Sequence, residues 1–295
     1  MRRAAQQQTG FTQFFTFLKG NIVSKLISID ALSEQVGKAG APQLVDVRRQ
    51  AAFEDTPRML PAAQRGAPEE IAVWSRGLSR NRPVVVYCVH GHEVSKNAAH
   101  MLGAQGFNAQ ALEGGITAWI DAGLPAVKRH GDGVAASRWI TRERPKIDRL
   151  ACPWLVRRFI DPNAMFFYVP AAQVRDQAKQ LGAQPYDVPD TLFSHRGAQC
   201  SFDAFLDEYD LHDAALDKLA TIVRAADTDQ LALAPQASGL LAISLGLCDN
   251  ISDDLALLDA AIPLYDALYT WCKSARHETH NWPYGTKAAQ TTMAT

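Results

Sequence analysis

Val84-Val85-Val86-Tyr87 is an unbroken apolar run that ends in Cys88 and the polar turn Val89-His90-Gly91-His92-Glu93-Val94. A run without polar alternation suits a strand buried on both faces, and such strands belong to parallel sheets covered by helices on either side. The surrounding pattern agrees. Ile29 to Val36 reads as a strand end and short helix, Gln43 to Val47 as a buried strand, and Ala67 to Leu78 as a helix. Pro83 to Tyr87 is the next strand, Ser95 to Gln105 a helix, Asn108 to Leu112 a strand and Gly115 to Ala122 a helix, with Gly106 and Gly123 as stops. The expected class is α/β, with ligands at the carboxyl ends of the strands.

Cys88 falls at such an end. A loop between a strand and a helix start turns backbone N–H groups inward, and the positive end of the helix dipole favours a thiolate or a bound oxyanion there. The competing reading is an ordinary core cysteine packed as a small hydrophobe. Two features favour chemistry: Cys88 ends the apolar run instead of lying within it, and Gly91 permits close backbone approach. His90 and His92 flank the loop as candidate donors, and Glu93 is expected to face solvent.

At 295 residues, two domains are the default expectation. The formal net charge of −1 gives no electrostatic reason to expect nucleic acid or an anionic membrane as partner. Five dispersed cysteines with no CxxC pair argue against a secreted disulfide framework and for a reducing, cytoplasmic compartment. No stretch reaches the roughly 18 apolar residues that span a bilayer. Phe11, Phe14, Phe15, Phe17 and Leu18 are interrupted by polar residues and read as a short docking helix, not a signal peptide.

Four ordered landmarks resemble the rhodanese domain. They are Leu44-Val45-Asp46-Val47-Arg48 with Phe53 and Glu54, then Val85-Val86-Tyr87-Cys88 with His90 and Gly91, then Ser95-Lys96 with Ala98, Ala99 and Leu102, and Leu112-Glu113-Gly114-Gly115-Ile116 with Trp119. The resemblance implies that Cys88 accepts sulfane sulfur as a persulfide, within an active-site loop of Val89, His90, Gly91, His92, Glu93, Val94 and Ser95. It implies supporting roles for Asp46 and Arg48 and no required cofactor. Thiosulfate is the implied donor, and the acceptor thiol is unassigned. The loop is one residue longer than the family's usual Cys-x-x-Gly-x-Arg-Ser. That length resembles rhodanese-fold phosphatases and arsenate reductases, but Val94 stands where those enzymes place an oxyanion-binding arginine.

After His130-Gly131-Asp132-Gly133, which reads as a linker, no strand and helix alternation is expected to continue. Leu150 to Ile160, Ala171 to Leu181, Cys200 to Tyr209, Asp213 to Ala226, Ser238 to Leu247 and Asp253 to Cys272 read as helices, with one short strand at Met165 to Val169. The organisation expected is an N-terminal extension at 1–21, a rhodanese-like domain at 22–129, a linker at 130–137, a mainly helical domain at 138–274 and a polar tail at 275–295. Three blocks of the helical half are similar to the C-terminal domain of bacterial chromate-resistance proteins of the ChrB type. These are Lys146-Ile147-Asp148-Arg149 through Asp161-Pro162, Phe193-Ser194-His195-Arg196-Gly197 through Phe202, and Ile222-Val223 with Ala226-Asp227. The resemblance implies association with chromate detoxification or its regulation.

His195, Cys200, Asp148 and Asp227 are plausible ligands of a metal ion of unspecified identity, because imidazole, thiolate and carboxylate all coordinate first-row metals. Arg149 and Arg196 are candidates to attract an anion such as chromate. The competing reading makes Cys200 core, Asp148 a helix cap, and the arginines loop pins. Two functions follow as expectations: a sulfurtransferase using Cys88, or an oxyanion- or metal-responsive sensor without turnover.

Overall fold

The computed structural model describes residues 25–56, 58–128 and 135–275. The expected docking helix, the glycine-rich linker core and the tail beyond residue 275 lie outside them. In chain order the first half comprises β1 (Leu26–Ile27), α1 (Ile29–Ser33), β2 (Gln43–Asp46), α2 (Gln50–Asp55), β3 (Arg58–Met59), β4 (Gln64–Arg65) and α3 (Ile71–Trp74). It continues with β5 (Val84–Tyr87), α4 (Glu93–Ala104), β6 (Ala109–Leu112), α5 (Gly115–Asp121) and β7 (Val127–Lys128).

The apolar run forms β5, all four of its residues buried, in the middle of a parallel sheet ordered β1-β6-β5-β2-β4. Asp46 pairs in register with Tyr87, and Val84 with Ala109, so β2, β5 and β6 end together. Burial on both faces explains the lack of alternation. Val84 and Val86 join Val45, Val47, Ala98, Ala99 and Leu102 on one side, while Val85 and Tyr87 join Leu44, Phe53, Ile116 and Trp119 on the other. The expected helix over Ala67 to Leu78 is broken into a 3-10 turn at Pro68–Glu70, the four-residue α3 and a second 3-10 turn at Ser75–Gly77. Pro68 opens the first turn without an N–H to donate, and Gly77 ends the last.

The second half comprises β8 (Arg138–Arg142), α6 (Asp148–Leu155), β9 (Met165–Val169), α7 (Val174–Leu181), β10 (Gln184–Pro185) and α8 (Ser201–Tyr209). The remaining helices are α9 (Ala214–Asp227), α10 (Gln236–Asn250) and α11 (Asp254–Thr270). The region is mainly helical, but the expectation that strand and helix alternation stops is corrected here. β8, β9 and β10 form a parallel sheet in the order β10-β8-β9, with Trp139 opposite Phe166 and Gln184. Flanking Arg138 and Arg142 leave only Trp139-Ile140-Thr141 between them, too short an apolar signal to read as a strand.

The two halves share one core. Leu32, Val36, Leu60 and Trp119 from the first half belong to the same buried cluster as Trp154, Phe159, Tyr265 and Tyr269 from the second. Gly37, at φ +79°, lies so close that a Cβ there would sit 2.6 Å from the Phe159 ring and 2.8 Å from the Tyr269 ring. The Ala62 amide donates to the Phe159 carbonyl at 2.6 Å, Arg58 pairs with Asp210, and Lys273 Nζ donates to the Ser33 carbonyl at 2.8 Å. Among the described residues no helix is long and apolar enough to cross a membrane.

Candidate functional sites

Cys88 follows the last residue of β5, and its loop runs to α4, which begins at Glu93, two residues earlier than the sequence suggests. The loop hangs by its carbonyls. Ile116 N donates to Cys88 O at 3.0 Å and Thr117 N to Val89 O at 3.1 Å, both from the first turns of α5. Among the described residues, the amides from Val89 to Ser95 donate to no protein acceptor. Amides freed at a helix start form a nest suited to an oxyanion or a thiolate.

Gly91 is required at its place: φ is +68°, and a Cβ would lie 2.6 Å from the Gly114 nitrogen. Cys88 Sγ is buried and lies 3.2 Å from Ser95 Oγ, which also lies 3.3 Å from the His92 carbonyl as donor. A serine hydroxyl so placed can donate to a thiolate or persulfide. His90 and His92 are exposed with ring centroids 5.8 Å apart, and Glu93 faces solvent. Val94 is half-buried and packs on the Val45, Val84 and Leu102 side of the sheet, so the position that would carry an oxyanion-binding arginine is directed into the core.

Asp46 and Arg48 sit beneath this loop, both side chains fully buried. Arg48 donates from Nε to both Asp46 oxygens at 2.9 and 3.0 Å and from a terminal nitrogen at 2.6 Å. Tyr87 Oη donates to Asp46 at 3.1 Å and accepts from Leu60 N at 3.2 Å. Burial, followed by the Asp46 charge, pushes the Tyr87 hydroxyl well above its ordinary pKa. The pair therefore ties β2 and β5 to the segment around Leu60.

In the second half, three chain segments converge. Asp148 opens α6, Asp227 ends α9, and His195 projects from the loop before α8. His195 Nε2 lies 3.2 Å from Asp227 Oδ2, 3.3 Å from Asp148 Oδ2 and 3.4 Å from Asp187 Oδ1. The Asp148 carboxylate raises the His195 pKa to about 9. Burial, then the Asp148 charge, raises Asp227 to about 8 and also raises Asp187.

Backbone strain sets the geometry. Ile147, at φ +40°, is a rare conformation for a β-branched residue. Its amide donates to Ser244 Oγ at 2.9 Å, and its carbonyl accepts from Tyr265 Oη at 2.7 Å. These two bonds hold Asp148 at the helix start. Pro153 removes the N–H that would otherwise bond the Arg149 carbonyl inside α6, and Tyr186 Oη donates to that carbonyl at 3.2 Å.

The other residues grouped with this cluster from the sequence go elsewhere. Cys200 is fully buried as the residue before α8, its thiol pushed up by burial and outside the converging set. Its amide donates to Asp203 at 2.9 Å, which fixes the helix start. Arg149 Nε contacts Asp187 at 3.2 Å, beside Arg142 at 2.5 Å. Arg196 pairs with Glu208 at 2.6 Å, so neither candidate anion-binding arginine is free of a carboxylate. Asp187 was not singled out by sequence reasoning. It lies in Tyr186-Asp187-Val188-Pro189-Asp190, which carries only a turn signal.

Residues 28–122, which hold the parallel sheet and its cysteine loop, match the family model of the rhodanese-like domain. A rhodanese-related protein from Thermoplasma volcanium is 28% identical, covering 36% of this chain and 99% of that one, with a TM-score of 0.32. A rhodanese-like domain protein from Staphylococcus aureus is 27% identical over 32% of this chain and 90% of that one, with a TM-score of 0.29. Residues 139–272 match the model described as ChrB, C-terminal domain. One segment of the chain thus matches the rhodanese-like domain model and a second, separate segment matches the ChrB C-terminal domain model. The protein ChrB of Cupriavidus metallidurans is 36% identical over 141 residues, 47% of this chain and 42% of that protein's length. The match therefore spans less than half of that relative.

Proposed function

We propose that this chain is a sulfurtransferase that carries sulfane sulfur on Cys88 as a persulfide and acts in resistance to chromate. The observation that carries the reading is the placement of Cys88 at the carboxyl end of the central strand, under a loop whose amides are left free by the carbonyl bonds to α5. In the first half-reaction the Cys88 thiolate attacks the sulfane sulfur of thiosulfate. The S–S bond breaks and sulfite leaves with the electron pair, its developing charge met by the loop amides and Ser95. In the second, a thiol or cyanide attacks the terminal sulfur and Cys88 leaves as thiolate.

The link to chromate rests on the ChrB C-terminal domain and on the relative named ChrB. The test is steady-state turnover of thiosulfate and cyanide to thiocyanate. Wild type should turn over and Cys88→Ser should not. Equal rates in the two would refute the assignment. A second reading, a sensor that binds an oxyanion or metal ion without turnover, draws support from the shared core, since the segment from Arg58 to Ala62 touches both the Tyr87 hydroxyl and Phe159. That reading expects saturable chromate binding with no thiocyanate produced.

A further inference from the structure

We propose that Asp148, His195 and Asp227 bind a divalent first-row cation. The argument begins with spacing. In a shell with metal–ligand bonds of about 2.1 Å, neighbouring ligand atoms lie about 3.0 Å apart in an octahedron and about 3.4 Å apart in a tetrahedron. The distances from His195 Nε2 to Asp227 and Asp148, 3.2 and 3.3 Å, fall in that interval, and one ligand atom from each of the three residues lies within 4.8 Å of the others.

Hydrogen bonding accounts poorly for the arrangement. One imidazole nitrogen carries at most one N–H, so it can satisfy only one of the carboxylates crowded around it. A hydrogen bond from His195 Nε2 to Asp148 leaves Asp187 and Asp227, 3.4 and 3.2 Å from the same nitrogen, without an N–H from it.

Charge points the same way from a different direction. Asp227 ends α9, where the unpaired carbonyls of the last turn already present negative partial charge. Its side chain is 14% exposed and that of Asp148 is 3% exposed. Among the described residues, His195 is the basic side chain in contact with both. Asp187 is differently placed, because Arg142 and Arg149 neutralise it and Ser201 Oγ lies 3.2 Å from its other oxygen. With those partners it is not counted among the ligands. The two carboxylates and the imidazole suit Mn2+, Fe2+ or Zn2+, and no cysteine belongs to the converging set. His195 is 39% exposed at its side chain, which gives an ion a route in from solvent.

The site is independent of the persulfide reading and its test leaves Cys88 untouched. The full chain, stripped with chelator, is titrated with Mn2+ followed by electron paramagnetic resonance and with Zn2+ followed by calorimetry. At least one of the two ions should bind saturably, one per chain, and should raise the melting temperature. His195→Ala, a change in a partly exposed loop, should weaken binding about tenfold or more and abolish the thermal shift, and Asp227→Asn should do the same. Failure of both ions to bind wild type would overturn the assignment, as would binding that His195→Ala leaves unchanged. If Asp227→Asn does not fold, His195→Ala decides alone.

Discussion

Asp46 and Arg48 illustrate how much a single buried contact controls. Their side chains are fully buried, so Asp46→Ala leaves a guanidinium without its counter-charge and should destabilise the protein by about 3–5 kcal/mol in chemical denaturation. A loss under about 1 kcal/mol would mean that the carbonyls near Arg48 suffice to hold it. His195 and Asp227 give a pH dependence in the metal-free chain. Both folded pKa values lie above the unfolded ones, near 6.5 and 3.8, so the fold retains protons that the unfolded chain releases. The stabilisation from protonated His195 is complete below about pH 6.5 and lost on approaching 9, while retaining the Asp227 proton costs stability progressively from about pH 4 to 8. The melting temperature should therefore fall between pH 6.5 and 8, less steeply in Asp227→Asn; an equal slope in that variant would contradict the account. At this scale the place of Cys88 at the end of a buried strand was legible because its signal is local, an apolar run meeting a glycine loop. Asp187 was not, because its importance arises only where residues 148, 195 and 227 meet it in space.

The elements divide in the same way. β5 announces itself because burial on both faces demands four consecutive apolar residues. β8 is equally central to its own sheet, yet the arginines at its ends conceal it, one of them being needed at Asp187. The helix expected over Ala67 to Leu78 failed for a local reason, the proline and glycine that cut it into turns. α6 retains Pro153 because Tyr186 supplies the missing donor to Arg149 O. Tyr186→Phe should accordingly cost about 1–3 kcal/mol, the loss expected when a buried carbonyl is left unpaired. Urea unfolding measures it, and a neutral result would show that the carbonyl finds another partner. Gly91→Ala should strain the Cys88 loop against Gly114 and reduce sulfur loading while circular dichroism stays unchanged. Full loading in that variant would show that the close approach is not needed.

For the whole molecule, the sequence divides into two blocks, but the structure closes them around one cluster that includes Trp119, Phe159 and Tyr269. Nothing local in either block reveals that the segment near Leu60 is both the rim below the cysteine loop and the contact to Phe159. Phe159→Ala should destabilise the chain by about 3–5 kcal/mol and do so for both halves in a single calorimetric transition. Two separated transitions in wild type would refute the shared core. The central claim remains the chemistry of Cys88, and mass spectrometry of the intact chain and of its Cys88 peptide after incubation with thiosulfate tests it most directly. The account predicts a gain of one sulfur atom on that peptide, removed by cyanide and missing in Cys88→Ser. A Cys88 peptide of unchanged mass from folded wild-type protein would contradict it.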